Sequence, residues 1–262
     1  LVWTIAALAA AGVFLVGMMA LAWRLAQDVE QWAWIDAIRV AAIGGAGAAL
    51  ALAPLGPVGP RNWLVALALV VWSLRLAGYL AGRIVGTEED RRHMRMWRGW
   101  GGEAPRRLFR HLQRQAGIGF VLVVAAAAAA HAPGAVRFGD LLGALVAAVA
   151  IAGEWVADRQ LAAFRAADGG RDGVCDHGLW AMSRHPNYFF EAFFWLALPL
   201  FAIDPATPLG WGLASLAAPV VVYLQLVRMS GLPPLEAHLV ASRGEAYRAY
   251  QARVPAFFLK LL

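Results

Sequence analysis

Apolar residues fall along this chain in long, nearly unbroken runs separated by short polar or strongly basic stretches. A membrane-spanning helix needs about 20 consecutive apolar residues. Seven runs approach that length: Leu1 to Ala22, Ala33 to Ala53, Trp63 to Ala81, Ile118 to His131, Leu141 to Ala157, Tyr188 to Ile203 and Pro208 to Val227. The fourth and sixth are short and are expected to extend into their flanks. Pro54 to Pro60 and Ile203 to Pro208 are proline-rich and read as tight connections. Ala125 to Ala130 is an alanine run, a strong helix former that also permits close helix contact in lipid. The pattern predicts an all-α, polytopic membrane protein with about seven transmembrane helices, forming one transmembrane domain over residues 1–262. Leu1 to Ala22 is too long for a signal-peptide core and lacks a basic leader, so it is read as a retained helix.

Composition supports this reading. The 262 residues are 61% hydrophobic and only 15% charged, against about 25% charged in soluble domains. Mean hydropathy is +0.58. The net charge of +6 does not indicate a nucleic-acid partner, because the arginines sit in loops between apolar runs. Arg83, Arg91, Arg92, Arg95, Arg98, Arg106, Arg107, Arg110 and Arg114 lie between the third and fourth runs. Arg159, Arg165, Arg171 and Arg184 lie between the fifth and sixth, and Arg228, Arg243, Arg248, Arg253 and Lys260 follow the seventh. The alternate loops hold only Arg61 and Arg137. Basic residues accumulate on the cytoplasmic side. The expected topology has the N-terminus outside and the C-terminus cytoplasmic, in a multi-pass inner membrane protein. No obligate protein partner is evident.

Several ionisable residues lie in or beside the apolar runs, where charge is expensive and invites a functional reading. Asp36 and Arg39 start the second run. Arg75, Tyr79 and Arg83 are four apart and share a helical face, suited to a phosphate-bearing ligand. Glu154, Asp158 and Arg165 end the fifth run. These carboxylates can hold ribose hydroxyls or an adenine amine, or pair with Arg75 and Arg83. The densest segment, Asp176 to Glu191, reads DHGLWAMSRHPNYFFE. Pro186 is expected to open a helix. Asn187, Tyr188 and Glu191 then fall on its first turns, and Arg184 and His185 stand beside a terminus with free N–H groups. The tail from Ser230 to Leu262 is amphipathic and basic, as in an interfacial helix. Its Tyr247 and Tyr250 are either interfacial aromatics or a cover over a ligand.

Some chemistries are excluded. No dinucleotide fingerprint follows a predicted strand; Gly44, Gly45 and Gly47 lie inside an apolar helix and serve packing. There is no phosphate-loop motif and no HExxH. The six histidines are too dispersed for a di-iron membrane oxygenase. Cys175 is the sole cysteine, so no intrachain disulfide or cysteine metal cluster forms.

The string GLWAMSRHPNYFFE resembles the GLW-x-x-[ST]-RHPNY-x-x-E signature of a bacterial membrane family of unassigned function, of the DUF1295 type, related to steroid 5α-reductases and sterol reductases. WSLRLAGYLAGR, EEDRRHMRMW, EWVADRQLAAFR, SGLPPLE and the Tyr-x-x-Tyr of Tyr247 and Tyr250 resemble further blocks in the same order, from about Trp63 to Phe258. The resemblance implies a seven-helix bundle with NADPH at the cytoplasmic end and a lipid-like substrate entering from the bilayer. By the same resemblance, Arg75, Tyr79 and Arg83 meet the phosphate-bearing part of the cofactor. Asp158 and Arg165 match polar cofactor-binding positions, Asn187 and Glu191 match the pair that approaches the nicotinamide side, and Glu236, Tyr247 and Tyr250 correspond to tail residues that cover the cofactor; Glu154, Arg184, His185 and Tyr188 are further candidate cofactor contacts beside them. The chain departs from the steroid enzymes at Trp72, where they carry a tyrosine, and at Glu154, where they carry an asparagine. Asp36 is the nearest acidic candidate on the second helix.

Two enzymatic readings follow. In the first, NADPH reduces an activated carbon–carbon double bond of a hydrophobic small molecule, with Tyr188, Asp36 or Tyr79 as the donor to the developing oxyanion. In the second, the chain resembles isoprenylcysteine and phospholipid methyltransferases, which also carry an RHP-x-Y element and use S-adenosylmethionine. Those enzymes place a glycine soon after that tyrosine, where this chain has Phe189 and Phe190. A non-catalytic lipid-binding protein is the third class.

Overall fold

The computed structural model describes residues 2–28, 34–84, 101–167, 173–204 and 210–260. Among these residues every regular element is helical, as lipid demands of a chain that must pair its own N–H and C=O groups. The elements are α1 (Val2–Asp28), α2 (Trp34–Leu52), α3 (Pro60–Ile84), α4 (Ala104–Ala130), α5 (Phe138–Ala166), α6 (Pro186–Trp195), α7 (Ala197–Ala202), α8 (Ala217–Leu224) and α9 (Leu232–Arg253). Short 3-10 turns cover Gly101–Glu103, Gly178–Ala181 and Trp211–Leu216, and a π-helical turn covers Gln225–Met229.

Six helical segments among the described residues are long and apolar enough to cross a bilayer. Five are α1 to α5, and the sixth runs over Gly212–Arg253. The expected crossing from Tyr188 to Ile203 differs: it is two short helices, α6 and α7, broken at Leu196. Pro199 explains the break. It has no N–H to donate to the Trp195 carbonyl, and its ring crowds that carbonyl, so the ladder is interrupted at this point. Outward faces confirm the nonaqueous setting. Trp63, Leu67, Val71 and Leu74 recur at helical spacing on α3 and are exposed, as are Leu141, Leu145 and Val149 on α5. Apolar faces of that length are stable against lipid and not against water.

The chain divides into two compact units, one of Leu1–Ala144 with Leu198–Ala218 and one of Leu145–Ala197 with Pro219–Leu262. In the first, α2 packs on α1, α3 and α4. Gly44 and Gly47 of α2 are in this contact, whereas Gly45, expected to pack as well, is exposed with open space beside it because it falls on the opposite face of the helix. A side chain at Gly44 would overlap Ser73, and one at Gly47 would sit 2.9 Å from Leu69 Cδ1. The alanine run Ala125 to Ala130 is entirely buried.

A polar lock joins the first turn of α3 to the first turn of α5 and to the connection that precedes α5. Arg61 is buried, and so is Asp140 at 0% exposure. Arg61 Nε and Nη2 donate to the two Asp140 oxygens at 2.6 and 2.9 Å. Arg61 also donates to the carbonyls of Ala132 and Ala135 at 2.5 and 2.8 Å, and the Arg137 backbone N–H donates to Asp140 Oδ2 at 2.8 Å. Beside it, the Asn62 amide donates to the Ala51 carbonyl at 2.9 Å and meets His131 Nδ1 at 3.2 Å. Sequence reading placed Arg61 in a loop and passed over Asp140. Removing one partner of a buried pair strands the other charge, at a cost of about 3–5 kcal/mol. Arg61→Met is therefore expected to lower the thermal unfolding midpoint in detergent markedly, while the double replacement Arg61→Met with Asp140→Leu recovers much of the loss. Equal midpoints for the single variant and the native chain would refute the lock.

Candidate functional site

The GLW-SRHPNY segment connects α5 to α6 and opens α6, and most residues of the motif have a local reason. Gly178 has φ +60°, a left-handed conformation that favours glycine. A side chain there would also strike Gln160. Gln160 Oε1 accepts from the Leu179 N–H at 3.0 Å, and the Trp180 indole N–H donates to the Ala157 carbonyl at 3.0 Å. The turn is thus fastened to the last turns of α5. Pro186 then opens α6 with its preset φ.

The far side of the same turn is held by the C-terminal segment. Glu236, on the first turn of α9, accepts five hydrogen bonds. Arg184 Nε and His185 Nε2 donate to Oε1 at 3.0 and 2.6 Å, as does the Tyr247 hydroxyl at 2.7 Å. Arg184 Nη2 and the Gln251 amide donate to Oε2 at 2.9 and 2.5 Å. Arg184 Nη1 donates to the carbonyls of Gln251 and Val254. The Tyr250 hydroxyl donates to the Trp180 carbonyl at 2.5 Å. Ser183 Oγ donates to the Phe257 carbonyl at 2.9 Å, and the Lys260 N–H donates to the Met182 carbonyl at 2.8 Å. A charge-assisted cluster of this kind is worth more than its neutral equivalents.

Tyr247 and Tyr250 are each only 2% exposed. Their hydroxyls are committed inside this unit, to Glu236 and to the Trp180 carbonyl. The same holds for Arg184, whose three guanidinium nitrogens all donate within it. Sequence reading found these residues one by one but did not find Gln251, Gln160 or Ser183. Gln251 directly follows Tyr250 and the other two lie inside the quoted blocks, yet nothing in their type marks them as partners.

Burial holds the His185 imidazole below its ordinary pKa, although the Glu236 carboxylate pulls the other way. Its ring stacks on Tyr188 at 5.7 Å between centroids. On α6, Glu191 accepts from the Trp195 indole at 3.0 Å. Asn187 is half-buried, and its amide makes no hydrogen bond among the described residues. Glu154 and Asp158, one turn apart on α5, are buried, while Arg165 is exposed. Trp155 and Arg159 form an outward cation–π pair at 4.6 Å.

The remaining candidates belong to the first unit. The Arg75 guanidinium lies 5.8 Å from the Tyr79 ring centroid, so these two do share a face of α3. Arg83 is in the last turn of that helix, and its side chain lies outside the described residues. The block EEDRRHMRMW lies outside them as well. Asp36 pairs with Arg39 at 3.0 Å and is half-exposed. Trp72 is buried. No group of three metal-ligating side chains occurs among the described residues.

Two outcomes are expected. Glu236→Gln keeps the shape but removes the charge that four side chains share. It should free α9 from the turn, speeding tryptic cleavage at Arg243 and Arg248 while sites elsewhere are unaffected. Unchanged cleavage would refute this anchoring role of Glu236. A histidine held neutral by the fold destabilises it once the unfolded chain can protonate, so stability present above the unfolded pKa of about 6.5 is lost as pH falls below it. The unfolding midpoint should therefore drop on acidification through that value, with a shallower slope in His185→Gln.

No curated protein and no solved structure gives a significant match to the chain. The family model described as a protein of unknown function, DUF1295, matches residues 8–254. With the match running over nearly the whole length, the chain belongs to the DUF1295 family.

Proposed function

We propose that this protein is an NADPH-dependent membrane reductase of a carbon–carbon double bond in a steroid-like or other lipid substrate. Its active site faces the cytoplasm from a multi-pass inner membrane protein, the orientation that the basic loops favour. The observation that carries this reading is Asn187: a half-buried amide, uncommitted among the described residues and held on the first turn of α6 by a turn anchored on both sides. An asparagine amide offers a donor and an acceptor together, which is what the carboxamide of a nicotinamide requires. Glu154 and Asp158 are the carboxylates for hydroxyl or amine groups of the cofactor.

Bound NADPH would supply the hydride. The Tyr188 phenol, beside an imidazole that burial keeps neutral, donates a hydrogen bond to the substrate oxygen and then its proton. Arg184, His185, Glu236, Tyr247 and Tyr250 act as positioning residues, because their polar atoms hold the turn that carries Asn187 and Tyr188. Asp36, paired at a half-exposed helix start, has a weaker claim to the donor role than Tyr188.

Calorimetry on the detergent-purified protein with NADPH, NADH and S-adenosylmethionine tests the reading. Saturable NADPH binding is expected, weakened about tenfold by Asn187→Ala, the loss of one or two hydrogen bonds, with the unfolding midpoint unchanged. Binding of S-adenosylmethionine without NADPH would instead assign the chain to the methyltransferase chemistry that RHP-x-Y elements also serve.

A further inference from the structure

The outward face of α4 carries charge where its neighbours carry hydrocarbon. Arg106, Arg110 and Arg114 recur every four residues and are exposed. The same stripe continues through exposed Gly117 and Val121, while Leu108, Leu112, Ala116 and Gly119 are buried on the opposite side. The arginines therefore point where the helix meets lipid, not into the bundle. Arg107 pairs with Glu103 at 2.7 Å; among the described residues the other three have no acidic partner.

Their depth can be placed. α4 ends at Ala130. Counted back from there, a hydrocarbon core of roughly 30 Å reaches the level of Arg110 at 1.5 Å per residue. Arg106 then stands at the headgroup level, and Arg114 lies about one turn inside, where its stem must snorkel and its guanidinium needs an anion. The contact with α1 fixes this end of the helix. The Trp23 indole donates to the Pro105 carbonyl at 2.8 Å, and its ring meets Phe109 edge-on at 5.3 Å. Arg24, the next residue, is exposed.

We infer that Arg106, Arg110 and Arg114 form a binding surface for the phosphate of an anionic membrane phospholipid. Basic side chains at this depth attract anionic headgroups by charge, and lipid is the one source of phosphate that reaches a lipid-facing stripe from the side. The aromatic pair Trp23 and Phe109 lies beside the acyl boundary, as such residues do at membrane interfaces.

The test titrates the full chain in neutral detergent with phosphatidylglycerol or phosphatidylcholine and counts retained lipid by native mass spectrometry. Phosphatidylglycerol should be preferred roughly fivefold, the attraction of about one interfacial arginine. The preference should vanish in Arg106→Gln/Arg110→Gln/Arg114→Gln and survive in the corresponding triple lysine variant. Equal retention of the two lipids by the native chain overturns the proposal, as does a preference unchanged by the glutamine variant. Displacement of phosphatidylglycerol by equimolar inorganic phosphate would assign the arginines to a free anion and overturn it too. If the glutamine variant fails to fold, the lysine variant decides: loss of the preference there is equally fatal.

Discussion

A peptide group in hydrocarbon has no water to turn to, and every feature of this chain answers to that constraint. It selects helix over strand among the described residues. It requires that a polar side chain away from water find a partner of its own. Arg61 and Asp140 meet it as a buried pair supplemented by backbone carbonyls. Glu236 meets it by collecting five donors on one carboxylate. Neither arrangement is an isolated salt bridge. Each is a network in which the lone pairs and N–H groups left over by the ion pair are also satisfied, the condition under which buried charge is tolerable.

The same constraint gives the signature motif a physical meaning. Its glycine is needed for a left-handed residue pressed against Gln160. Its tryptophan and serine bond to backbone carbonyls, its arginine and histidine reach Glu236, and its proline starts α6. Most of the motif is therefore architecture. What these bonds do not explain is Asn187, whose half-buried amide makes no hydrogen bond among the described residues. Separating the residues that build the turn from those that it presents narrows a long list of polar candidates to a short one.

Close contact is achieved by small residues rather than by large apolar ones, because lipid tails compete with leucine as packing partners. Gly44 and Gly47 admit Ser73 and Leu69 of α3, and the alanine run of α4 is buried throughout. The exposed faces are correspondingly large and apolar, and this contrast makes the basic stripe of α4 conspicuous.

Run length and composition alone determined the all-helical, membrane-spanning class, since the thickness of the bilayer sets how many apolar residues a crossing needs. The glycine face of α2 and the helix start at Pro186 were likewise legible, because glycine and proline act on the backbone where they stand. The tertiary structure decided everything that depends on partners distant in the chain. Asp140 meets Arg61, and Gln251 joins Glu236, across separations that carry no periodic signal. It also decided that Tyr247 and Tyr250 face inward and that Pro199 divides an expected crossing in two. Residue type states what a side chain can bond to; only the folded chain states what it does bond to, because that depends on which groups the packing of helices brings within about 3 Å.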